Sequence, residues 1–322
     1  MKKRILNIPL FAFLGVFLFA IIGVIIGSFL DFKISNAFVD IHDGFGAFIE
    51  TIGEGLIAYG MVPFGAAMCF VSCWNKKAIG WRITGIIIIL LAIGVNGYIL
   101  GESLWDKQYT PAEWNEHDKQ FGIFFKQAAL AFAVGYLWNI VVAVITFFLL
   151  RQEGNTEMFK AGLIIVLAML VQFGVMHLLK RVGGRPRFRA LIDPDTKNLP
   201  VMAGMTYKEW WEFAWFKNPS IDYFKSWPSG HSATAACAIF LPLIAPFLKW
   251  QKKHTGLVLF IVGEAYALLI MIFRVRVGAH FVSDVSMGLL VGTLCCFLVA
   301  IITDWVFKKI RFKKKSKDDP II

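Results

Sequence analysis

An all-α, polytopic transmembrane helical bundle is the fold class predicted by this sequence, and three observations predict it. The 322 residues are 57% apolar and only 17% charged, where a soluble globular chain carries about 25% charged residues, and the mean hydropathy is +0.64. Apolar runs long enough for a helical span, about 20 residues each, recur along the whole length. Basic residues gather after every second one of them, at Lys2-Lys3-Arg4, at Lys76-Lys77, at Arg151 with Lys160, at Lys249, Lys252 and Lys253, and from Lys308 through Lys317.

In chain order the predicted spans are eight: 8–30, 56–74, 84–101, 122–149, 161–179, 231–248, 256–273 and 283–304. The first, 23 residues long, has no clear small-residue cleavage site and more spans follow it, so it reads as an anchor rather than a signal peptide. Residues 31–54 are too polar to cross; there Phe38, Ile41, Phe45, Phe48 and Ile49 suit a helix lying in the interface. The 28-residue run 122–149 is long for one crossing, which predicts a tilt or an interfacial start. Three regions follow: N-terminal spans and connections over 1–121, a membrane core over 122–307, and a basic, disordered tail over 308–322.

The basic clusters fix an orientation. The alternate connections, 31–54 and 102–120, carry Asp31, Asp40, Asp43, Asp106, Glu113, Glu116 and Asp118 instead. This is the positive-inside pattern with both termini cytoplasmic, which puts 180–225, Pro228–His231 and Arg274–His280 together on the outer side. The net charge of +11 is thereby explained by anionic bilayer lipids, and nucleic acid is excluded as a partner. All five cysteines, Cys69, Cys73, Cys237, Cys295 and Cys296, fall within spans without metal-ligand spacing to a histidine, and read as small hydrophobes.

Three polar clusters stand at span boundaries. In Pro228-Ser229-Gly230-His231, the serine can cap a helix whose first N–H groups lack partners, and glycine lets a ligand approach the backbone. Such an end suits an anion, although the tetrapeptide is also ordinary turn chemistry. In the second cluster His280 and Asp284 are four apart and share a helix face. Asp284 could hold the proton of one imidazole nitrogen and leave the other free to attack phosphorus, or merely stabilise a helix start; an aspartate just inside an apolar segment favours function. The third cluster packs Lys180, Arg181, Arg185, Arg187 and Arg189 into ten residues on the side where basic residues are disfavoured, so it needs an anionic partner, which lipid headgroups alone could supply.

Together the clusters resemble the type 2 phosphatidic acid phosphatase (PAP2) superfamily, the membrane relatives of glucose-6-phosphatase and vanadium haloperoxidases. The family's first motif is lysine, six residues, Arg-Pro: Lys180 and Arg187 match, with Phe188 in place of proline. Its second, Pro-Ser-Gly-His, is complete at Pro228–His231. Its third is Ser-Arg, five residues, His, three residues, Asp: Arg274, His280 and Asp284 match, with Phe273 in place of serine. The resemblance is strong over 160–290 and implies a six-span core with two extra N-terminal spans.

The resemblance implies metal-independent phosphate hydrolysis at the outer face. His280 attacks phosphorus to form a phosphohistidine, Asp284 orients it, and His231 protonates the leaving oxygen and then activates water. Lys180, Arg187, Arg274, the Ser229 hydroxyl and the Gly230 N–H hold the phosphate, with Arg185 behind them. No cofactor and no metal are expected; Asp193 and Asp195 read as a solvated loop. The implied substrate is a phosphorylated membrane lipid, such as phosphatidic acid, phosphatidylglycerophosphate, a polyprenyl diphosphate or a lipid A phosphate. Alternatives are a soluble sugar phosphate or, in another class, a non-catalytic lipid transporter. The expected location is a bacterial inner or plasma membrane.

Other residues carry less. His42 and His117 read as solvated, His254 as part of a cytoplasmic turn, His177 as a packing or hydrogen-bonding residue, and Glu264 as a buried bundle contact. Tyr207, Trp210, Trp211, Trp215, Phe216 and Tyr223 read as an aromatic segment on the headgroup layer, anchoring the loop or lining a lipid entrance.

Overall fold

The computed structural model describes residues 4–5, 8–50, 59–106, 128–150, 155–194, 200–218, 222–248 and 252–318. After a two-residue pairing of Arg4–Ile5 with Ile8–Pro9, the described chain is helical. The helices are α1 (Leu10–Phe38), α2 (Gly44–Phe48), α3 (Met61–Trp74), α4 (Ile79–Asp106), α5 (Ala128–Leu150), α6 (Thr156–Gly183), α7 (Phe188–Ile192), α8 (Gly230–Ala235), α9 (Thr255–Arg276) and α10 (Val282–Asp318). A 3-10 stretch, Ala236–Phe247, continues α8. Pro242 and Pro246 lie inside it and lack the N–H that an α-helical ladder requires.

Among the described residues, seven helical segments are long and apolar enough to cross a bilayer: Leu10–Phe38, Ile79–Glu102, Ala129–Leu150, Thr156–Ile192, Gly230–Phe247, Thr255–Arg276 and Val282–Ile310. The protein is an integral membrane protein. Of the eight expected spans, the second differs: its described helix, Met61–Trp74, has 14 residues, about 21 Å at 1.5 Å per residue and short of a 30 Å hydrocarbon core. Residues 51–58, which the expected span entered, lie outside the described residues.

Three further expectations are corrected. The first helix does not stop before Asp31 but runs on to Phe38, burying Asp31 and Ser35. Within the stretch read as interfacial, Phe45 is exposed while Ile49 is part of the core. The basic tail, read as disordered, continues α10 as helix to Asp318.

α1 packs along α10, and α10 in turn contacts α6 and α8, so the first helix belongs with the later ones. α4 and α5 pack on each other and on α3, which joins the rest through α6. Asn96 donates to Asn139 at 2.7 Å and to the Tyr59 carbonyl at 2.8 Å, a polar tie between apolar helices of the kind membrane bundles use. Lys160 and Asp304, 2.6 Å apart, tie α6 to α10.

Candidate functional site: a buried histidine ringed by cations

The site is built where α6 ends and where α8 and α10 begin. Asn155 caps α6, accepting from the Met158 N–H, and Glu157 stands in its first turn. Lys180 and Arg181 occupy the last turn, where cations complement the helix dipole. Gly184 then stops the helix at φ 55°, a left-handed geometry that costs a residue with a Cβ about 1–2 kcal/mol. The chain turns through Arg185 and Arg187, and the Arg187 N–H is fixed by the Tyr223 carbonyl at 2.8 Å.

Ser229 caps α8 through its hydroxyl, which accepts from the Ser232 N–H, and its own N–H donates to the Asp284 carbonyl at 3.0 Å. That bond docks the start of α8 on the start of α10. α9 ends on a turn through Gly278, at φ 67°, whose carbonyl accepts from Arg189 at 2.8 Å. The His280 N–H donates back to the Arg274 carbonyl at 3.2 Å. All three predicted clusters therefore meet at one end of the bundle.

His280 is fully buried, and its Nδ1 lies 2.6 Å from the Ser226 carbonyl. A carbonyl only accepts, so Nδ1 carries the proton and Nε2 presents a lone pair. Among the described residues Nε2 has no hydrogen-bond partner. Burial, then Arg274, Arg187, Lys180 and His231, hold the ring well below the ordinary histidine range, so it is neutral at pH 7. The His231 ring stands with its centroid 6.1 Å away, inclined at 58°.

The expected orienting contact is corrected in detail. The imidazole Nδ1–H donates to the Ser226 carbonyl rather than to Asp284. The Asp284 carboxylate instead accepts from the Ser226 hydroxyl at 2.5 Å, the Phe281 N–H at 2.9 Å and Arg185 Nη1 at 2.6 Å. It fixes the residues on either side of the imidazole rather than the ring itself.

The cations fall into distinct states. Arg274 is 1% exposed, with Nη1 2.6 Å from Glu50 Oε1, while Nε and Nη2 have no hydrogen-bond partner among the described residues. Arg187 is held by the Asp222 carbonyl at 2.9 Å and carboxylate at 2.6 Å. Partial burial by itself raises the Asp222 carboxyl; Arg187, Arg189 and Lys180 outweigh it and keep that carboxyl below its ordinary value. Lys180 Nζ is so close to Gly230 that a Cβ there would stand 3.2 Å away. Arg185 is saturated: besides Asp284, it donates to Asp31, Ser283, Tyr207 and the Lys208 carbonyl, and lies 4.0 Å from the Phe281 ring centre.

The two departures from the motif pattern are filled with packing. Phe188 stands edge-on to Phe281 at 5.9 Å, and Arg187 before it keeps the extended conformation of a helix cap. Phe273 stands edge-on to Phe45 at 4.9 Å. The aromatic segment splits: Trp211, Trp215 and Phe216 are exposed, whereas Tyr223 is buried and Trp210 donates to Ser28 at 2.8 Å. Asp193 caps α7; Asp195 and His117 lie outside the described residues. His177 contacts the Phe173 carbonyl one turn back, 3.1 Å away.

Sequence reasoning missed Asp31, Glu50, Asp222, Ser226 and Ser283. Asp31 and Glu50 read there as part of a polar outer connection. The available signal was that Gly23, Gly27 and Asp31 recur every four residues, on one face of α1.

Helices long and apolar enough to cross a membrane, with a histidine pair and several cations brought together at one end, mark an integral membrane protein. Residues 161–308 match the model of the PAP2 superfamily. A stretch of 79 residues is 44% identical to phosphatidylglycerophosphatase B of Bacillus subtilis (strain 168), covering 23% of this chain and 37% of that protein. The chain thus spans little more than a third of the length of that relative. No solved structure matches the chain.

Proposed function

We propose that this protein hydrolyses a phosphate ester or diphosphate on a membrane lipid at the outer face of a bacterial inner or plasma membrane, through a phosphohistidine. The observation that carries this reading is the His280 imidazole, with Nδ1 bound at 2.6 Å by a carbonyl and Nε2, among the described residues, without a hydrogen-bond partner. In the first step Nε2 attacks phosphorus while the bond to the lipid oxygen breaks, and His231 gives that oxygen a proton. In the second, His231 takes a proton from water, the resulting hydroxide attacks phosphorus, the N–P bond breaks and phosphate leaves. Lys180, Arg187, Arg274, the Ser229 hydroxyl and the Gly230 N–H stabilise the three equatorial oxygens, while Asp284 and Arg185 hold the imidazole's surroundings. Fixed cations supply the charge stabilisation, so magnesium is not required.

A lipid substrate is supported by the cavity beside Lys180. Its volume is about 480 Å³, and Leu178, His177, Arg181, Asn218 and Lys225 line it. Leu178 is 59% exposed on the outer flank of α6, so the cavity wall reaches the surface that acyl chains cover. Phosphatidylglycerophosphate leads the lipid phosphates because the B. subtilis relative is a phosphatidylglycerophosphatase. Outer-face placement rests on the positive-inside pattern.

The test is a panel in nanodiscs of phosphatidylglycerophosphate, phosphatidic acid, a polyprenyl diphosphate, a lipid A phosphate and glucose 6-phosphate, with phosphate release and lipid transfer both measured. Release from a lipid that survives chelation and disappears in His280→Ala supports the proposal. Turnover of glucose 6-phosphate alone, or lipid movement without hydrolysis, overturns it.

A further inference from the structure

The structure assigns Asp31, on α1 and 130 residues before the matched family segment begins at 161, as a positioning residue for His280; the assignment rests on the reading of His280 as nucleophile. Asp31 is 1% exposed. Its Oδ1 accepts from the Ser283 N–H at 2.9 Å, and its Oδ2 accepts from the Ser283 hydroxyl and from Arg185 Nη2 at 3.1 Å. Arg185 Nη1 continues to Asp284 at 2.6 Å, Asp284 to the Ser226 hydroxyl at 2.5 Å, and the Ser226 carbonyl to His280 Nδ1 at 2.6 Å.

The sequence of α1 permits this approach. A Cβ at position 27 would stand 2.5 Å from the Ser283 nitrogen and 2.8 Å from Asp31 Oδ1, so only glycine lets the helix lie against the start of α10. Gly23 meets Ser286 in the same way one turn earlier. With both glycines on the α10 side, Asp31 is delivered to Ser283 and Arg185.

Charge explains why a second carboxylate matters. One guanidinium lies between two buried carboxylates, leaving the group net negative close to an imidazole that becomes cationic as it attacks. Asp31 also holds one side of the Arg185 fork. Without that anchor Arg185 turns fully onto Asp284, drawing the carboxylate away from the Ser226 hydroxyl and the Ser226 carbonyl away from Nδ1. The Nδ1 proton then loses its fixed place, and with it the lone pair aimed at phosphorus.

The experiment compares native protein with Asp31→Asn, Asp31→Glu and Asp284→Asn in nanodiscs, with inorganic phosphate as competitive inhibitor to read the cradle. Asp31→Asn is expected to lower kcat about 10–100-fold, the range seen when a partner that orients an active-site ligand is removed. KM and the phosphate inhibition constant stay within about 2-fold, because Lys180, Arg187 and Arg274 are untouched. Asp31→Glu restores part of kcat by restoring the charge. In an Asp284→Asn background, Asp31→Asn adds less than about 3-fold, since both act on one imidazole. Unchanged kcat in Asp31→Asn, with His280→Ala inactive, overturns this inference alone. Activity in His280→Ala overturns the nucleophile reading and this inference with it. Parallel losses of folded protein, kcat and phosphate binding in Asp31→Asn, with full additivity, reduce Asp31 to a scaffold residue and also overturn it.

Discussion

Arg185 and Arg274 are equally buried, at 1% exposure each, yet their surroundings are opposite. Arg185 has two carboxylates, two hydroxyls and a carbonyl around its guanidinium. Arg274 has one carboxylate on Nη1, and its Nε and Nη2 are without hydrogen bonds among the described residues. A buried guanidinium with unmet donors costs free energy that folding does not recover, about 1–3 kcal/mol for each unsatisfied group. The comparison separates two kinds of arginine that motif spacing alone treats alike: one is tied on all sides into the fold, and the other, with a single carboxylate contact, is the one that the proposed function assigns to the phosphate.

The largest expected effect tests whether the site beside these arginines is catalytic at all. His280→Ala should lower kcat by about 10⁴-fold or more and abolish the acid-labile phosphoenzyme, as loss of a nucleophile does elsewhere. His231→Gln should cost about 10²–10⁴-fold through lost proton transfer, with phosphoenzyme still detectable at slowed rates in rapid quench. Phosphoenzyme on His231 and none on His280 would reverse the two roles.

The arginines themselves come next. Removing Arg185 leaves Asp31 and Asp284 buried side by side without a cation, a loss of about 3–5 kcal/mol. Arg185→Ala should therefore unfold at markedly lower temperature in detergent. Arg274→Ala should keep most of its thermal stability while kcat/KM drops about 10²–10³-fold, the effect of losing one oxyanion donor. Inorganic phosphate should protect native protein against heat and fail to protect Arg274→Ala. Equal destabilisation by the two substitutions would erase the distinction.

How much of this was legible follows from how far apart the partners lie in the chain. Lys180, Arg187, Ser229, Gly230, His231, Arg274, His280 and Asp284 declare themselves through local spacing at span boundaries, where polar residues are conspicuous. Asp31 and Arg185 are separated by 154 residues, and Arg187 and Asp222 by 35; no periodicity links such pairs. Asp31 also looks like the polar end of the first apolar run, because a chain of apolar residues does not show which helix face will be covered. The imidazole's actual partner was invisible for another reason. The Ser226 carbonyl belongs to the backbone, and every residue has one.

A smaller effect concerns pH. Burial and Arg274 are the two leading causes that depress His280, and the neutral ring is the nucleophilic form. Activity dependent on it is retained as pH falls until the folded-state pKa is crossed, which lies below the ordinary 6.5. The acid limb of kcat/KM should accordingly fall below pH 6.5 in the native protein. The same linkage makes the fold's contribution from His280 fully present above about pH 6.5 and lost progressively below it, because the unfolded chain takes up the proton first. Arg274→Gln removes a cation from the ring's surroundings and should move the acid limb upward; an unmoved limb would mean that Arg274 exerts no field on His280.

The smallest effect sharpens the comparison from the other side. Glu50 occupies Nη1 of Arg274 at 2.6 Å and reaches Arg189 at 3.3 Å, so an incoming phosphate shares Arg274 with a carboxylate already in place. Glu50→Gln keeps the shape and a hydrogen-bond acceptor but removes the negative charge. Inorganic phosphate should then inhibit more strongly, by about 10-fold or ~1.4 kcal/mol. The gain should be largest at low ionic strength, where the repulsion between carboxylate and phosphate is least screened. In Arg274→Ala the same Glu50 substitution should change phosphate inhibition much less, because the cation that both anions contend for is gone. Equal gains in the two backgrounds would show that Glu50 repels phosphate from a distance rather than by holding the arginine.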